Sequence, residues 1–151
     1  MSTVIYVDGD ACPVKEEVEK VATRHNLPVQ IVSNGGLRPS RNPLVQTIVV
    51  AHGADAADDW IAERITDRDV AITADIPLAS RCLEKGARVL GPTGKPFTNA
   101  SIGMALAMRE LKQHLRESTG QQTYNSGFTP RDRSNFLNAL ENELRALTRQ
   151  R

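Results

Sequence analysis

Aspartates are the residues of this chain whose type and spacing could do chemistry. Asp8 and Asp10 flank Gly9 at the end of an apolar run, Val4-Ile5-Tyr6-Val7. Two residues apart, they share one side of an extended backbone. Gly9 permits a sharp turn and the close approach of a ligand. A second group, Asp55, Asp58 and Asp59, stands at a helix start, where residues three or four apart share a face. Asp75 follows the apolar run Val70-Ala71-Ile72-Thr73-Ala74. Taken singly, each acid reads as a helix cap or a first-turn charge that suits the macrodipole. Taken together, they bring carboxylates from three elements to one place. Gathered carboxylates repel, and a site that holds them needs a cation. Oxygen-only ligands suit Mg²⁺ or Mn²⁺. Such an ion polarises a phosphoryl oxygen and generates hydroxide from water. The expected metal set is Asp8, Asp10, Asp55, Asp58, Asp59 and Asp75.

The elements that must position these acids alternate between strand and helix. Val4 to Val7 is an unbroken apolar run, as expected of a strand buried on both faces. Val14, Val18, Val21 and Ala22 give a helix ending near His25-Asn26. Pro28 to Val32 and Val45 to Val50 read as strands, with the loop Leu37 to Pro43 between them. Asp69 to Ala74 is a fourth strand, Ile76 opens a helix closed by Gly86, and Ala87 to Leu90 is a fifth strand. Gly91 to Pro96 reads as a loop, and Ile102 to Leu115 as a long helix. Ser118 to Gly127 reads as a mobile connection. Thr129-Pro130-Arg131-Asp132 caps a last helix carrying Phe136, Leu137, Leu140, Leu144 and Leu147. That stripe packs on the body or on a second subunit, so a homodimer through the C-terminal helices is expected. The pattern is a parallel α/β sandwich. An order 3-2-1-4-5 makes strands one and four neighbours at the switch point, where open sheets bind ligands.

Arg38 and Arg41 stand in the loop after strand two, placed here at the same edge. Lys95 and Arg131 stand in the loop and helix start further on. Beside an acidic metal site, such cations suit a phosphodiester backbone. Net charge is only +1, so any basic surface is local, and 4% aromatic residues leave few stacking platforms for single strands. With 151 residues, 40% hydrophobic and 25% charged, the composition fits one globular domain. There is no signal peptide and no apolar run long enough to span a bilayer, so the expected location is cytoplasmic, with no membrane partner. Cys12 and Cys82 match no metal or disulfide framework.

Three segments carry a resemblance: VIYVDGDACPVK at the start, GADAADDWIAERITDRDVAITADIPLA in the middle, and GFTPRDRSNFLNALE near the end. They resemble the bacterial YaiI/YqxD family, which itself looks like a member of the PIN-like nuclease group. The likeness covers nearly the whole chain. It implies a single PIN-like domain over 1–151, a three-layer sandwich with a five-stranded parallel sheet, and a C-terminal helical extension at about 129–149. It also implies an acidic pocket for Mg²⁺ or Mn²⁺, RNA as the partner, and hydrolysis of its phosphodiesters. Carried onto this sequence, the catalytic acids are Asp8, Asp59 (with Asp55 or Asp58 beside it) and Asp75. The PIN-like pattern often has another acid after strand four. Here Ile76-Pro77-Leu78-Ala79 follows Asp75, leaving that part to Asp10.

Two other readings compete. Val7-Asp8-Gly9-Asp10 and Ile31-Val32-Ser33-Asn34-Gly35 also resemble the first two motifs of a HAD-like phosphatase, with Asp8 as nucleophile. That chemistry gives no role to Asp55, Asp58 and Asp59. A non-catalytic module binding nucleic acid or metal is the third.

Overall fold

The computed structural model describes residues 3–9, 13–35, 39–50, 55–119 and 128–149. Six strands and five helices are described: β1 (Ile5–Asp8), α1 (Lys15–His25), β2 (Val29–Ser33), β3 (Val45–Val49), α2 (Ala56–Arg64), β4 (Val70–Ile72), α3 (Ile76–Glu84), β5 (Arg88–Leu90), β6 (Pro96–Phe97), α4 (Asn99–Thr119) and α5 (Pro130–Arg149). The sheet order is β3-β2-β1-β4-β5-β6. The first five strands pair in parallel, and β6 pairs antiparallel with β5. The expected five-stranded parallel sheet is thus corrected to six strands, mostly parallel. The sixth was invisible in sequence because two residues starting with a proline carry no alternation. Proline is tolerated there because β6 lies on the sheet's edge.

Helices cover both faces. Ile5 and Val7 of β1 point to one side, where they meet Val14, Val18 and Val21 at α1 and Phe136, Leu140, Leu144 and Leu147 of α5. Tyr6, of the opposite parity, points to the other, with Ala57 and Ile61 of α2 and Leu78 and Cys82 of α3. The α5 stripe is therefore consumed by the chain's own core. Truncating the fully buried Phe136 to alanine would cost about 3–5 kcal/mol.

The helix ends follow local chemistry. Asn26 takes the left-handed conformation at φ 54° beyond α1, and its N–H meets the carbonyls of Ala22 and Thr23. Thr129 and Asp132 form a reciprocal capping box at the start of α5, the Thr129 N–H donating to Asp132 Oδ2 at 3.0 Å and the Asp132 N–H to Thr129 Oγ1 at 3.1 Å. Ser118 and Thr119 belong to α4 rather than to a connection; residues 120–127 lie outside the described residues. No helix among the described residues is long and apolar enough to cross a membrane.

Candidate functional site

Asp8 is the last residue of β1 and is buried. It has the parity of Tyr6, so its side chain leaves the sheet toward α2 and α3. Its Oδ2 accepts a hydrogen bond from Thr73 Oγ1 at 3.0 Å. Thr73 follows the neighbouring strand β4 and is fully buried. The same hydroxyl accepts from the Asp75 N–H at 2.9 Å. The backbone N–H can only donate, so the Thr73 proton is committed to Asp8. Asp75 Oδ1 in turn accepts from the Leu78 N–H at 3.0 Å and caps α3. One hydroxyl thus joins the two acids that the parallel pairing of β1 and β4 brings to the sheet's carboxyl edge.

Helix α2 supplies the third acid. Trp60 packs edge-on against Tyr6, with ring centroids 6.1 Å apart, and sets α2 over β1. Ala57, Ile61 and Ala62 form the buried face of α2. Asp58 lies three and four residues before Ile61 and Ala62, on the flank of that face. It is half-buried, and its carboxyl is pushed up to about 7. Burial is the largest cause, followed by the charges of Asp75, Asp8 and Asp55; the Arg81 guanidinium offsets part of this. Asp59 is exposed and turned outward, accepting from Arg81 Nη1 at 2.7 Å. Asp55 is exposed at the start of α2.

Of the six expected acids, Asp8, Asp58 and Asp75 share one electrostatic site with Asp55 at its rim, and Asp59 is committed to Arg81. Asp10 lies outside the described residues. Among the described residues, no three His, Cys, Asp or Glu side chains stand close enough together to ligate one ion directly. The donor chemistry is nonetheless that of a hard cation: carboxylate oxygens whose repulsion a positive charge would relieve.

The expected cations separate. Lys95 follows Gly94, whose φ is +92°. A Cβ on Gly94 would come within 2.7 Å of the Asn135 carbonyl carbon and oxygen, so only glycine lets this turn lie on α5. That contact sets the loop of Lys95 beside the first turns of α5, where Arg131 stands; both side chains are exposed. Arg41 does not share the carboxyl edge. Ser40 bonds Glu19, and Asn42 Nδ2 donates to Thr23 Oγ1, both on α1. The segment therefore leads into the start of β3, toward the opposite edge of a parallel sheet. Arg38 and Cys12 lie outside the described residues.

Two residues were passed over in sequence. Thr73 directly follows the strand residues Val70–Ile72, and only strand pairing reveals its partner. Glu17 is buried in the first turn of α1, pairing through Oε1 with Arg133 Nε at 3.0 Å, while its Oε2 has no hydrogen-bond partner among the described residues. Its signal was a place on the helix's apolar face, three residues after Val14 and four before Val21.

Residues 6–146 match the model of a family described as uncharacterised BCR, YaiI/YqxD family. A UPF0178 protein of Mesorhizobium japonicum is 62% identical over 141 residues, covering 93% of this chain and 91% of its own. One from Agrobacterium fabrum is 60% identical over 137 residues, covering 91% and 90%. One from Rhizobium meliloti is 56% identical over 146 residues, covering 97% and 100%. No solved structure matches. With nearly its whole length matched, the chain belongs to the YaiI/YqxD family.

Proposed function

We propose that this protein is a metal-dependent nuclease of PIN-like type, hydrolysing RNA phosphodiesters at its carboxylate edge. The observation that carries this reading is the joining of Asp8 and Asp75 through Thr73, with Asp58 of α2 in the same field. Three elements separated in sequence converge there. A pure capping role explains Asp75 but gives no reason to bury Asp8 or to crowd Asp58 against both.

Asp8, Asp58 and Asp75 would hold Mg²⁺ or Mn²⁺ partly through the ion's own waters, since the three do not stand close enough to ligate it directly, with Asp10 and Asp55 as further candidates. When bound, the ion polarises the scissile phosphoryl group and lowers the pKa of its water. Thr73 keeps Asp8 in one rotamer as a hydrogen-bond acceptor. Asp58 must lose its proton for the ion to enter. Asp59 belongs to the site only if its pair with Arg81 opens. Lys95 and Arg131, both exposed, would meet a phosphate backbone arriving at the same edge. A phosphatase using Asp8 as nucleophile leaves the acid from α2 unexplained.

The test is incubation of the purified protein with Mn²⁺ and mixed RNA, beside Asp8→Asn. Cleavage that the substitution abolishes supports the reading. Turnover of small phosphomonoesters in place of RNA would favour the phosphatase, and neither activity a binding module.

A further inference from the structure

The sheet has two edges, and they are built differently. At one, β6 is two residues long and begins with Pro96, so it offers little backbone to a second chain. At the other, β3 is five residues long, Val45-Gln46-Thr47-Ile48-Val49. It contains no proline, and no Asp, Glu, Lys or Arg occurs between Arg41 and Asp55. β3 itself thus carries neither the proline nor the charged side chain that commonly blunts an edge strand.

The hydrogen-bonding pattern of β3 is self-complementary. The Val29 N–H donates to the Leu44 carbonyl, and the Val50 N–H donates to the Ser33 carbonyl. Alternation in a parallel ladder then turns the backbone groups of Gln46 and Ile48 toward β2 and those of Thr47 and Val49 outward. The Val45 carbonyl also faces outward, while its N–H is taken by the Asn42 carbonyl at 3.0 Å. Apart from the Val49 carbonyl, whose counterpart N–H on Val45 is already taken, the outward set is symmetric about Thr47. Val49 adds an exposed apolar side chain, 67% accessible, on the same side of the strand as Val45.

We propose that β3 pairs with β3 of a second copy, antiparallel and centred on Thr47, to give one continuous sheet through two subunits. Each Thr47 exchanges both backbone hydrogen bonds with Thr47 of the other copy. Each Val49 N–H donates to the opposite Val45 carbonyl. Val49 then lies directly across from Val45, covering the exposed valine with a β-branched partner. A two-fold axis needs only one patch, and this patch is complementary to itself. The α5 stripe is already spent on the chain's own core, so the dimer uses a different surface from the one its sequence suggested.

Sedimentation velocity on the full chain across a dilution series tests this. The wild type should be a dimer at tens of micromolar. Val49→Lys should raise the dimer dissociation constant at least about tenfold, through charge at an apolar cross-strand position, whereas Val49→Thr should keep the dimer. A wild type that stays monomeric overturns the proposal. So does a dimer that survives Val49→Lys but is lost in Met104→Lys, since Met104 on α4 is 73% exposed and would then mark the interface. Thr47→Cys provides an arm that does not depend on Val49→Lys folding. Across the two-fold axis the paired Cα atoms stand about 5.5 Å apart, within disulfide reach. Mild oxidation should link Thr47→Cys into a covalent dimer and leave Gln46→Cys, which faces Ile48, unlinked. Failure of Thr47→Cys to link, or equal linking of both, refutes this register.

Discussion

The Thr73 hydroxyl donates to Asp8 Oδ2 at 3.0 Å while accepting from the Asp75 N–H at 2.9 Å. The hydroxyl ties the Asp8 carboxylate to the backbone of Asp75. Thr73→Val removes a donor from a buried carboxylate and an acceptor from a backbone N–H. It should lower stability by about 1–3 kcal/mol. Thr73→Ser keeps the hydroxyl and should lose less. Urea denaturation of the three proteins measures this, and equal midpoints would show that the relay contributes nothing.

Asp58 makes stability depend on pH. Its folded carboxyl sits at about 7, above its ordinary 3.8. Between these values the folded state binds the proton more tightly than the unfolded one. Stability contributed by this group is therefore complete below the ordinary value and is lost as pH rises toward about 7. Because Asp58 is only half-buried, solvent screening reduces the effect to on the order of 1 kcal/mol. Asp58→Asn should remove this fall from the pH profile in EDTA. Superimposable profiles for wild type and variant would contradict it.

The same proton competes with metal. Calorimetric titration with Mn²⁺ should show affinity rising with pH up to about 7, with proton release on binding, and levelling above. Asp8→Asn should weaken binding at least several-fold at any pH. Binding that is indifferent to both pH and Asp8 would remove the metal site.

Asp75 has a cap to lose as well as a proposed ligand. Asp75→Asn keeps the acceptor for the Leu78 N–H, so apo stability should be nearly unchanged. Asp75→Ala should cost about 1 kcal/mol with or without metal. Excess Mn²⁺ should stabilise the wild type by a few kcal/mol at roughly 100-fold saturation, and both variants by much less. Equal metal-induced shifts in thermal melts of all three would leave Asp75 as a cap alone.

Lys95 and Arg131 should act as phosphate contacts, and Arg41 should not. Changing Lys95 and Arg131 together to alanine should weaken single-stranded RNA binding and reduce its salt slope by roughly 1.4. Arg41→Ala should leave both unchanged. The reverse pattern would move the nucleic-acid path to the opposite edge of the sheet.

The alternation of apolar runs and helical stripes was enough to name the five parallel strands, while their order, 3-2-1-4-5, was an expectation that rested on the family resemblance. Periodicity and turn chemistry are local, and β1, α1 and α5 obey them. The capping roles of Asp75 and Thr129 were equally local and legible, because an N-cap bonds only two or three residues onward. The grouping of Asp8 with Asp75 followed from the expected order, since strand adjacency brings their ends together. Tertiary structure decided the rest. Which aspartate of α2 turns inward depends on how Trp60 seats the helix on Tyr6, and that rotation sets Asp58 inward and Asp59 onto Arg81. The loop after β2 could not reveal that Arg41 leaves the carboxyl edge, because its direction is fixed by bonds to α1. Thr73 gained its role only when β4 lay beside β1. A hydroxyl in a strand has no preferred partner until the neighbouring strand supplies one.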